Sequence, residues 1–312
     1  MGPLIRRRSV LVGAAGFAGA CAIGARPGPG FTVATFNIWP GEAPGGEAMT
    51  AKEEIIERST DPSVHDRAIV HVRTPTLKVF RPATPNGAAV LICPGGAYQR
   101  VVLDKEGDET AMRLAEAGVV AAVLVYRLPE DGWAAGWRAP LQDAQRAMRL
   151  IREGRVADGV DPRRVGVLGF SAGGHLAAAL TLIDEIAYAP VDAADAATWR
   201  PDFTALIYAA YLNGEGSPAL LAGPRGAAPD LIARVTARTP PVFLAHAADD
   251  ASVPAEGSQR MHTALEKAGV ASELHIFPDG GHGFGIARAK GMEAEAWPDL
   301  FLAWMRARGV VG

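Results

Sequence analysis

Cysteine is nearly absent from this sequence, which has two cysteines among 312 residues. Cys21 lies in an N-terminal segment that we expect to be removed. Cys93 then has no partner, and the mature protein has no intramolecular disulfide. A lone exposed cysteine is sometimes a nucleophile, but Cys93 ends the apolar run that starts at Ala88. We therefore interpret it as a buried structural thiol.

A strong charge of one sign is also absent. The chain carries 31 Lys and Arg against 34 Asp and Glu, a formal net charge of −3. Its basic residues are scattered, apart from one cluster near the start. We therefore expect neither nucleic acid nor an anionic membrane as a partner. Hydrophobic residues make up 49% of the chain, which is enough apolar material for one large core.

The longest apolar stretch has the features of an export signal. It covers residues 10–24, roughly 15 residues against the ~20 that cross a bilayer as a helix, so we expect no transmembrane span. The cluster Arg6-Arg7-Arg8 precedes it and small residues end it, as in a signal peptide. Arg7-Arg8 with an apolar pair two positions on favours a twin-arginine signal over an ordinary secretory one.

These features predict a signal peptide at residues 1–25 and export to the periplasm or the extracellular space. Lipid attachment at Cys21 is a less favoured alternative, because the large aliphatic residue usual three positions before the cysteine is missing. Residues 26–64 are rich in proline, glycine and charge, and we interpret them as an extended arm on the surface. Residues 65–312 form the predicted main domain, in which residues 213–239 interrupt the pattern as a cap or substrate-side loop.

Apolar strands and helices alternate through the main domain. Two antiparallel strands are predicted first, around residues 69–72 and 77–80, with a Thr-Pro break between them. The other predicted strands are 88–93, 119–126, 165–170, 205–210, 242–247 and 273–277, and the predicted helices are 109–117, 141–153, 172–183, 259–268 and 294–308. This alternation predicts an α/β fold with a doubly wound, mostly parallel β-sheet and helices on both faces.

The segment from Gly169 to Gly173 matches the pattern G-x-S-x-G around Ser171. The match alone is weak, since plain tight turns use the same residues. Its context is specific, because it follows a buried strand and opens a helix of small residues, as a nucleophile elbow requires. The flanking glycines relieve crowding in a strained turn. Ser171 is therefore the candidate nucleophile.

A serine nucleophile needs a base that is oriented by a third group. His282 lies in a glycine-rich loop after the last predicted strand, and two adjacent acids, Asp249 and Asp250, follow the strand before it. Both segments come just past strand carboxyl ends, where open α/β sheets build their sites. We predict His282 as the base and Asp250 as the orienting acid, with Asp249 as the alternative. His175, His246 and His275 we interpret as packing residues.

Acyl transfer also requires hydrogen-bond donors for the developing oxyanion. The backbone N–H of Ala172, directly after the serine, is one predicted donor. The others are expected from the loop after strand 88–93, at Gly96 and Ala97. We expect no metal site, because the histidines are not paired at ligand spacing, and no nucleotide cofactor, because no G-x-G-x-x-G follows the first strand.

Taken together, several segments resemble one group of proteins, the α/β-hydrolase esterases that include acetyl xylan esterases and bacterial feruloyl esterase-like proteins. Besides the segments around Ser171, Asp250 and His282, the similar segments are Trp39-Pro40-Gly41-Glu42-Ala43-Pro44, Cys93-Pro94-Gly95-Gly96, Tyr126-Arg127-Leu128-Pro129 and Ala139-Pro140-Leu141-Gln142-Asp143-Ala144. The resemblance covers about residues 36–308. It implies the α/β-hydrolase fold and cofactor-free hydrolysis of small acyl esters, often acetyl groups on plant polysaccharides or oligosaccharides.

The resemblance also places individual residues. Ser171, Asp250 and His282 fall on the family's triad positions, and Gly96 and Ala172 on its oxyanion positions. Ala97 departs from the third glycine that many relatives have, which puts one donor or the width of the acyl pocket in doubt. Candidate residues for a sugar or acyl site are Tyr98, Trp133 and Trp137, although aromatics in such loops are as often surface packing.

The leading hypothesis is a serine carboxylic ester hydrolase that removes acetyl-type groups from carbohydrates such as xylan, with a small-molecule or oligosaccharide ester as substrate. A general short-chain carboxylesterase is the alternative within the same chemistry. A serine peptidase is less favoured, since it would usually bring a large extra domain for substrate recognition. A binding protein of the same fold that has lost catalysis is disfavoured by the intact Ser, acid and His. The sequence carries no signal for an oligomeric state.

Overall fold

The computed structural model describes residues 30–213 and 229–312. The predicted signal peptide, residues 26–29 of the predicted arm and residues 214–228 of the predicted loop at 213–239 lie outside these residues. Within the described ranges, no helix is both long and apolar enough to span a membrane.

Eleven strands and five α-helices lie in the described residues. The strands are β1 (Phe31–Asn37), β2 (Glu54–Glu57), β3 (Arg67–Val70), β4 (Thr76–Pro82), β5 (Ala89–Cys93), β6 (Val101–Val102), β7 (Val120–Val125), β8 (Val165–Phe170), β9 (Thr204–Ile207), β10 (Val242–Ala247) and β11 (Ser272–Phe277). The helices are α1 (Glu109–Glu116), α2 (Ala139–Arg152), α3 (Ser171–Leu182), α4 (Glu256–Lys267) and α5 (Trp297–Ala307). Each corresponds to a predicted element, with ends that differ by up to three residues, except β1, β2 and β6, which were not predicted.

Eight strands form one sheet in the order β1-β4-β7-β5-β8-β9-β10-β11. From β7 to β11 every neighbouring pair is parallel. β4 runs antiparallel to both of its neighbours, β7 and the edge strand β1. Alternate residues of the strands enter two separate apolar clusters, as Leu91 and Ile92 of β5 do. Helices α2, α3 and α4 contribute to one cluster, and α1 and α5 to the other. The prediction of a doubly wound, mostly parallel sheet with helices on both faces is confirmed.

The pairing predicted for the first two strands is wrong. β3 pairs with β2 and β6 in a separate three-stranded sheet, whereas β4 pairs with β1 and β7 in the large sheet. The segment 26–64, interpreted as a surface arm, supplies β1 to this sheet through seven residue pairs with β4. β1 is an edge strand with half-buried side chains, so its apolar pattern is weak. Strand periodicity shows that a segment pairs, but it does not identify the partner.

Candidate active site

Ser171 lies at the junction between β8 and α3, with a left-handed backbone φ of 51°. The two flanking glycines are required by close backbone contacts. A Cβ at Gly169 would lie 2.2 Å from the carbonyl oxygen of Gly173, and a Cβ at Gly173 would lie 2.0 Å from that of Cys93. The turn therefore packs against the end of β5, and it holds a strained serine at the carboxyl edge of the sheet.

Ser171, His282 and Asp250 are joined by a chain of hydrogen bonds. The Ser171 Oγ lies 2.9 Å from His282 Nε2, and His282 Nδ1 lies 2.8 Å from Asp250 Oδ2. The second carboxylate oxygen of Asp250 accepts the N–H groups of Ser252, at 3.0 Å, and Val253, at 2.8 Å. In this arrangement the imidazole lies between a hydroxyl and an oriented carboxylate.

Asp250 is held in its charged form. Burial raises the pKa of this carboxyl group, but hydrogen bonds from His246, His282 and the Val253 N–H outweigh burial and hold the pKa well below its usual range. Asp249, by contrast, is exposed. Its Oδ1 accepts the N–H of Gly281 at 2.8 Å, so it supports the histidine loop, and none of its described hydrogen bonds reaches the imidazole.

His246 has a more direct place in the site than the sequence indicates. It is fully buried, and its Nε2 lies 3.3 Å from Asp250 Oδ2 and 2.9 Å from the carbonyl oxygen of Val253. Its Nδ1 lies 2.8 Å from the hydroxyl of Ser258 in α4. His246 therefore contacts the same carboxylate oxygen of Asp250 as His282 does, and it helps to fix the acid. Its position four residues before Asp250 is the sequence signal for this contact.

The predicted oxyanion loop abuts the serine. A Cβ at Gly95 would lie 2.9 Å from the Ser171 Cβ. The carbonyl of Gly96 accepts the N–H groups of Gln99, at 3.0 Å, and Arg100, at 3.2 Å, and Ala97 follows with a positive φ of 56°. Nothing in the described ranges accepts a hydrogen bond from the N–H of Gly96 or Ala97. The N–H of Ala172 lies in the first turn of α3, where a helix offers no internal acceptor.

The three predicted substrate aromatics have different surroundings. Tyr98 is in the oxyanion loop but is buried, and its hydroxyl lies 2.8 Å from His175 Nδ1. Trp133 packs on the Arg127 guanidinium at 4.8 Å. It also lines, with Trp39, a cavity of about 440 Å³ whose described lining does not include Ser171. Trp137 is partly buried. Within the described part of the chain, no hydrogen bond or ring contact joins either indole to Ser171, Asp250 or His282.

A second cavity, of about 280 Å³, adjoins the segments that hold the serine and the acid. It is lined by residues 209–213 after β9 and by residues 252–254, Glu256, Gly257 and Arg260 around the start of α4. The Ala210 N–H donates to the Ser171 carbonyl at 3.0 Å, which ties this wall to the serine. Of the described residues, no three His, Cys, Asp or Glu side chains are grouped to hold a metal ion.

Comparison with known proteins finds two family models along the chain. The prolyl oligopeptidase family model matches residues 138–308, and the BD-FAE model matches residues 77–194. An acetylxylan esterase of Xylanibacter ruminicola is 28% identical over 255 residues, which is 77% of this chain and 48% of the relative. The endo-1,4-beta-xylanase B of Butyrivibrio fibrisolvens is 30% identical over 64% of this chain and 32% of the relative. The chain thus spans half the length of these curated relatives or less.

Solved structures show the same architecture. An acetyl ester-xyloside bifunctional hydrolase from Caldicellulosiruptor lactoaceticus is 30% identical and superposes with a TM-score of 0.69, covering 89% of this chain and 97% of that one. A carboxylesterase from Lactobacillus plantarum superposes with a TM-score of 0.65 at 22% identity, covering 84% of this chain and 99% of that one. The second likeness is one of fold alone.

Proposed function

The chain belongs to the prolyl oligopeptidase family and to the α/β-hydrolase esterases, and from that membership we propose that it is a serine carboxylic ester hydrolase. The observation that carries the proposal is the continuous chain of hydrogen bonds from the Ser171 Oγ through His282 to Asp250, at 2.9 Å and 2.8 Å. A serine hydroxyl is activated by this arrangement of base and acid.

Acylation uses the three side chains in turn. The Ser171 Oγ attacks the ester carbonyl carbon while His282 Nε2 takes the hydroxyl proton, and Asp250 stabilises the imidazolium that forms. The N–H groups of Gly96, Ala97 and Ala172 donate to the oxyanion of the tetrahedral intermediate. His282 then gives its proton to the leaving alcohol oxygen as the bond from that oxygen to the carbonyl carbon breaks. The product is an acyl-enzyme on Ser171.

Deacylation repeats these steps with water. His282 Nε2 takes a proton from a water molecule that attacks the acyl carbon, and it returns the proton to Ser171 as the acid leaves. Because Asp250 stays charged, it holds the Nδ1–H tautomer of His282, and Nε2 is then free to accept the serine proton.

We propose small acyl groups, of the acetyl type, on a carbohydrate as the substrate class. The support is that two of the relatives are named for acetylxylan and acetyl ester-xyloside hydrolysis. A general short-chain carboxylesterase is the alternative, because the same serine, histidine and acid would hydrolyse simple esters by the same steps. Peptide hydrolysis is a further possible outcome, because the prolyl oligopeptidase family model matches.

The test compares wild type with Ser171→Ala on p-nitrophenyl acetate, butyrate and octanoate, on acetylated xylan, and on a proline-containing peptide. We expect serine-dependent turnover that is fastest on acetate and that releases acetate from xylan. The serine variant should lose several orders of magnitude in kcat while remaining folded. Turnover of the p-nitrophenyl esters, without turnover of acetylated xylan or the peptide, would favour the general short-chain carboxylesterase. A turnover rate of Ser171→Ala near that of wild type would contradict the assignment of Ser171 as the nucleophile.

We also propose that the protein is exported by a twin-arginine signal, on the strength of Arg7-Arg8 and the short apolar stretch after them. The test replaces both arginines by lysine in a bacterial host and measures the protein in the periplasmic and cytoplasmic fractions. Accumulation of the variant in the cytoplasm is expected. Unchanged export would contradict the proposal.

A further inference from the structure

Glu106 is a buried carboxylate beside the candidate active site. It lies in a helical turn, Asp104–Asp108, directly before α1, and only 3% of its surface is exposed. Its Oε2 accepts the N–H of Gly95 at 2.7 Å, and its Oε1 accepts the hydroxyl of Tyr208 at 3.1 Å. A charged acceptor makes stronger hydrogen bonds than a neutral one. The carboxylate therefore ties the oxyanion loop to the segment after β9.

Tyr208 extends this connection to the histidine loop. It directly follows β9 with a positive φ of 38°, and it is fully buried. Its hydroxyl oxygen accepts the N–H of Gly285 at 3.3 Å, and its ring lies edge-on to the His282 imidazole, with 5.3 Å between the ring centroids. The carbonyl of Gly285 in turn accepts the indole N–H of Trp297 at 2.6 Å. The histidine loop is thus held from both sides at Gly285.

The same helical turn is in close contact with both catalytic loops. A Cβ at Gly285 would lie 2.9 Å from the carbonyl oxygen of Lys105. A Cβ at Gly95 would lie 2.9 Å from Glu106 Oε2 and also 2.9 Å from the Ser171 Cβ. A small shift of Glu106 would therefore be transmitted to the oxyanion donors and to the base.

We propose that Glu106 is a positioning residue for ester hydrolysis, which aligns the oxyanion loop through Gly95 and the His282 loop through Tyr208. The inference rests on the proposed function. Its physical basis is that oxyanion donors act only when they lie within hydrogen-bond distance of the position where charge develops. Glu106 accepts from the oxyanion loop at Gly95 and from Tyr208, and the Tyr208 hydroxyl in turn accepts from the histidine loop at Gly285. The carboxylate thereby fixes the relative position of the two loops without itself touching the substrate.

The first test is Glu106→Gln, which keeps the shape of the side chain. An amide has one accepting oxygen and one donating nitrogen, so it cannot accept from both Gly95 and Tyr208. We expect kcat for p-nitrophenyl acetate to fall by up to roughly a hundredfold, the loss that a misplacement of about 1 Å can cause when a mutation lies away from the reacting atoms. KM should change little, because the interaction acts in the transition state. Thermal unfolding of the same sample establishes that the variant is folded.

Glu109→Gln is the matched control. Glu109 lies three residues further along, and its Oε2 also accepts a backbone N–H, that of Ala287, at 2.9 Å. Its described hydrogen bonds do not include Gly95 or Tyr208, so this variant should keep the wild-type kcat. An equal loss in the two variants would mean that the effect is general loosening of the segment after the histidine loop, and it would overturn the proposal.

Tyr208→Phe tests the contact between Tyr208 and Glu106 from the tyrosine side. It replaces Glu106→Gln as the test if that variant does not fold. It removes the hydroxyl but leaves the ring and the bond from Gly95. We expect a lower kcat, and less than additive losses in the double variant, because the two residues act in one network. A folded Glu106→Gln with wild-type kcat would overturn the proposal.

Failure of the proposed function has a different result, because the wild-type protein would then show no serine-dependent turnover of any ester tested. In that case the rate at which a fluorophosphonate labels Ser171 supplies the same comparison, since labelling needs the same base and oxyanion donors. Slower labelling of Glu106→Gln than of Glu109→Gln would support the positioning role. Equal rates would overturn it.

Discussion

Asp249 and Asp250 are adjacent carboxylates with different surroundings. Asp250 is buried and contacts His282 and His246, whereas Asp249 is exposed and contacts only the backbone of Gly281 among its described hydrogen bonds. Their separate roles follow from these contacts. The sequence favoured Asp250 but kept Asp249 as an alternative, because spacing alone does not show which side chain faces the imidazole.

This difference predicts unequal effects of Asp250→Asn and Asp249→Asn. Asn at 250 accepts only at one oxygen and leaves His282 without a charged partner, so we expect kcat/KM to fall roughly 10³- to 10⁴-fold. Asn at 249 keeps an oxygen for the Gly281 N–H, and the loss should be less than roughly tenfold. Ester hydrolysis by the two variants checks this, and equal, mild losses would place the acid elsewhere.

Ser171 and His282 were predictable because each carries a local signal, a G-x-S-x-G turn and a glycine-rich loop after a strand. Glu106 and Tyr208 were not, because their contact joins residues 102 positions apart and nothing in either local segment indicates it. Trp133 illustrates a weaker kind of signal. An aromatic side chain in a loop was a reasonable candidate for the substrate site, but its ring packs on the Arg127 guanidinium.

His175 should make stability depend on pH. Burial lowers the pKa of His175 from 6.5 to about 4. Between these values the unfolded chain binds a proton that the folded chain does not, so stability is lost as the pH falls from 6.5 to about 4. The shift corresponds to about 3 kcal/mol.

Urea unfolding at about pH 7.5 and about pH 4.5 measures this loss in wild type and in His175→Asn, which does not titrate. The variant will be less stable at both values, because Asn replaces a packed ring. Its loss between the two values should be smaller than that of wild type by up to about 3 kcal/mol. The same loss in both proteins would assign the pH dependence to other groups.

At the scale of elements, the apolar runs determined what could be predicted. Strands β5, β7, β8 and β10 are buried on both faces, and such strands read as continuous apolar runs. The end of β9 was predicted three residues late, since residues 208–210 are also apolar. The chain leaves the strand at Tyr208, where φ turns positive. An apolar pattern does not contain that change of backbone direction.

The elbow glycines give a prediction at this scale. In Gly173→Ala the added methyl group would meet the carbonyl of Cys93 at 2.0 Å, so β5 and α3 must separate. We expect a loss of about 3 kcal/mol in unfolding free energy, as for overpacked cores, together with a lower kcat. Gly257→Ala in α4 is the control, because nothing lies within 4 Å of its added Cβ. It should stabilise the protein by up to about 1 kcal/mol. Equal unfolding midpoints in the two variants would contradict the close packing of the elbow.

At the scale of the whole molecule, the segment before β2 completes the core. The Trp39 indole N–H donates to Asp143 at 2.8 Å, and the carbonyl of Ile38 accepts from the Arg146 guanidinium at 2.9 Å. The carbonyl of Pro44 accepts from Arg127 at 2.7 Å. Arg127, Arg146 and Asp143 are at most 2% exposed. Composition indicated a surface arm because proline and glycine are frequent in this segment. Ile38, Trp39 and Pro44 nevertheless form hydrogen bonds with buried charged side chains.

A shortened chain tests this role. We compare a chain that begins at residue 26, after the predicted signal peptide, with one that begins at residue 51. The second lacks β1 and leaves Arg146 and Asp143 with fewer hydrogen bonds in the interior. An incompletely satisfied buried charge costs several kcal/mol, so we expect the shorter chain to lose about 5 kcal/mol or more, or to fail to fold.

Trp39→Phe in the longer chain separates the contribution of one hydrogen bond from that of the segment. It should cost about 1–3 kcal/mol, the penalty for leaving one buried acceptor without its donor. Urea unfolding followed by circular dichroism measures all three proteins. If the chain that begins at residue 51 unfolds at the same midpoint as the longer one, residues 26–50 lie on the domain as an appendage, and the core is complete without them.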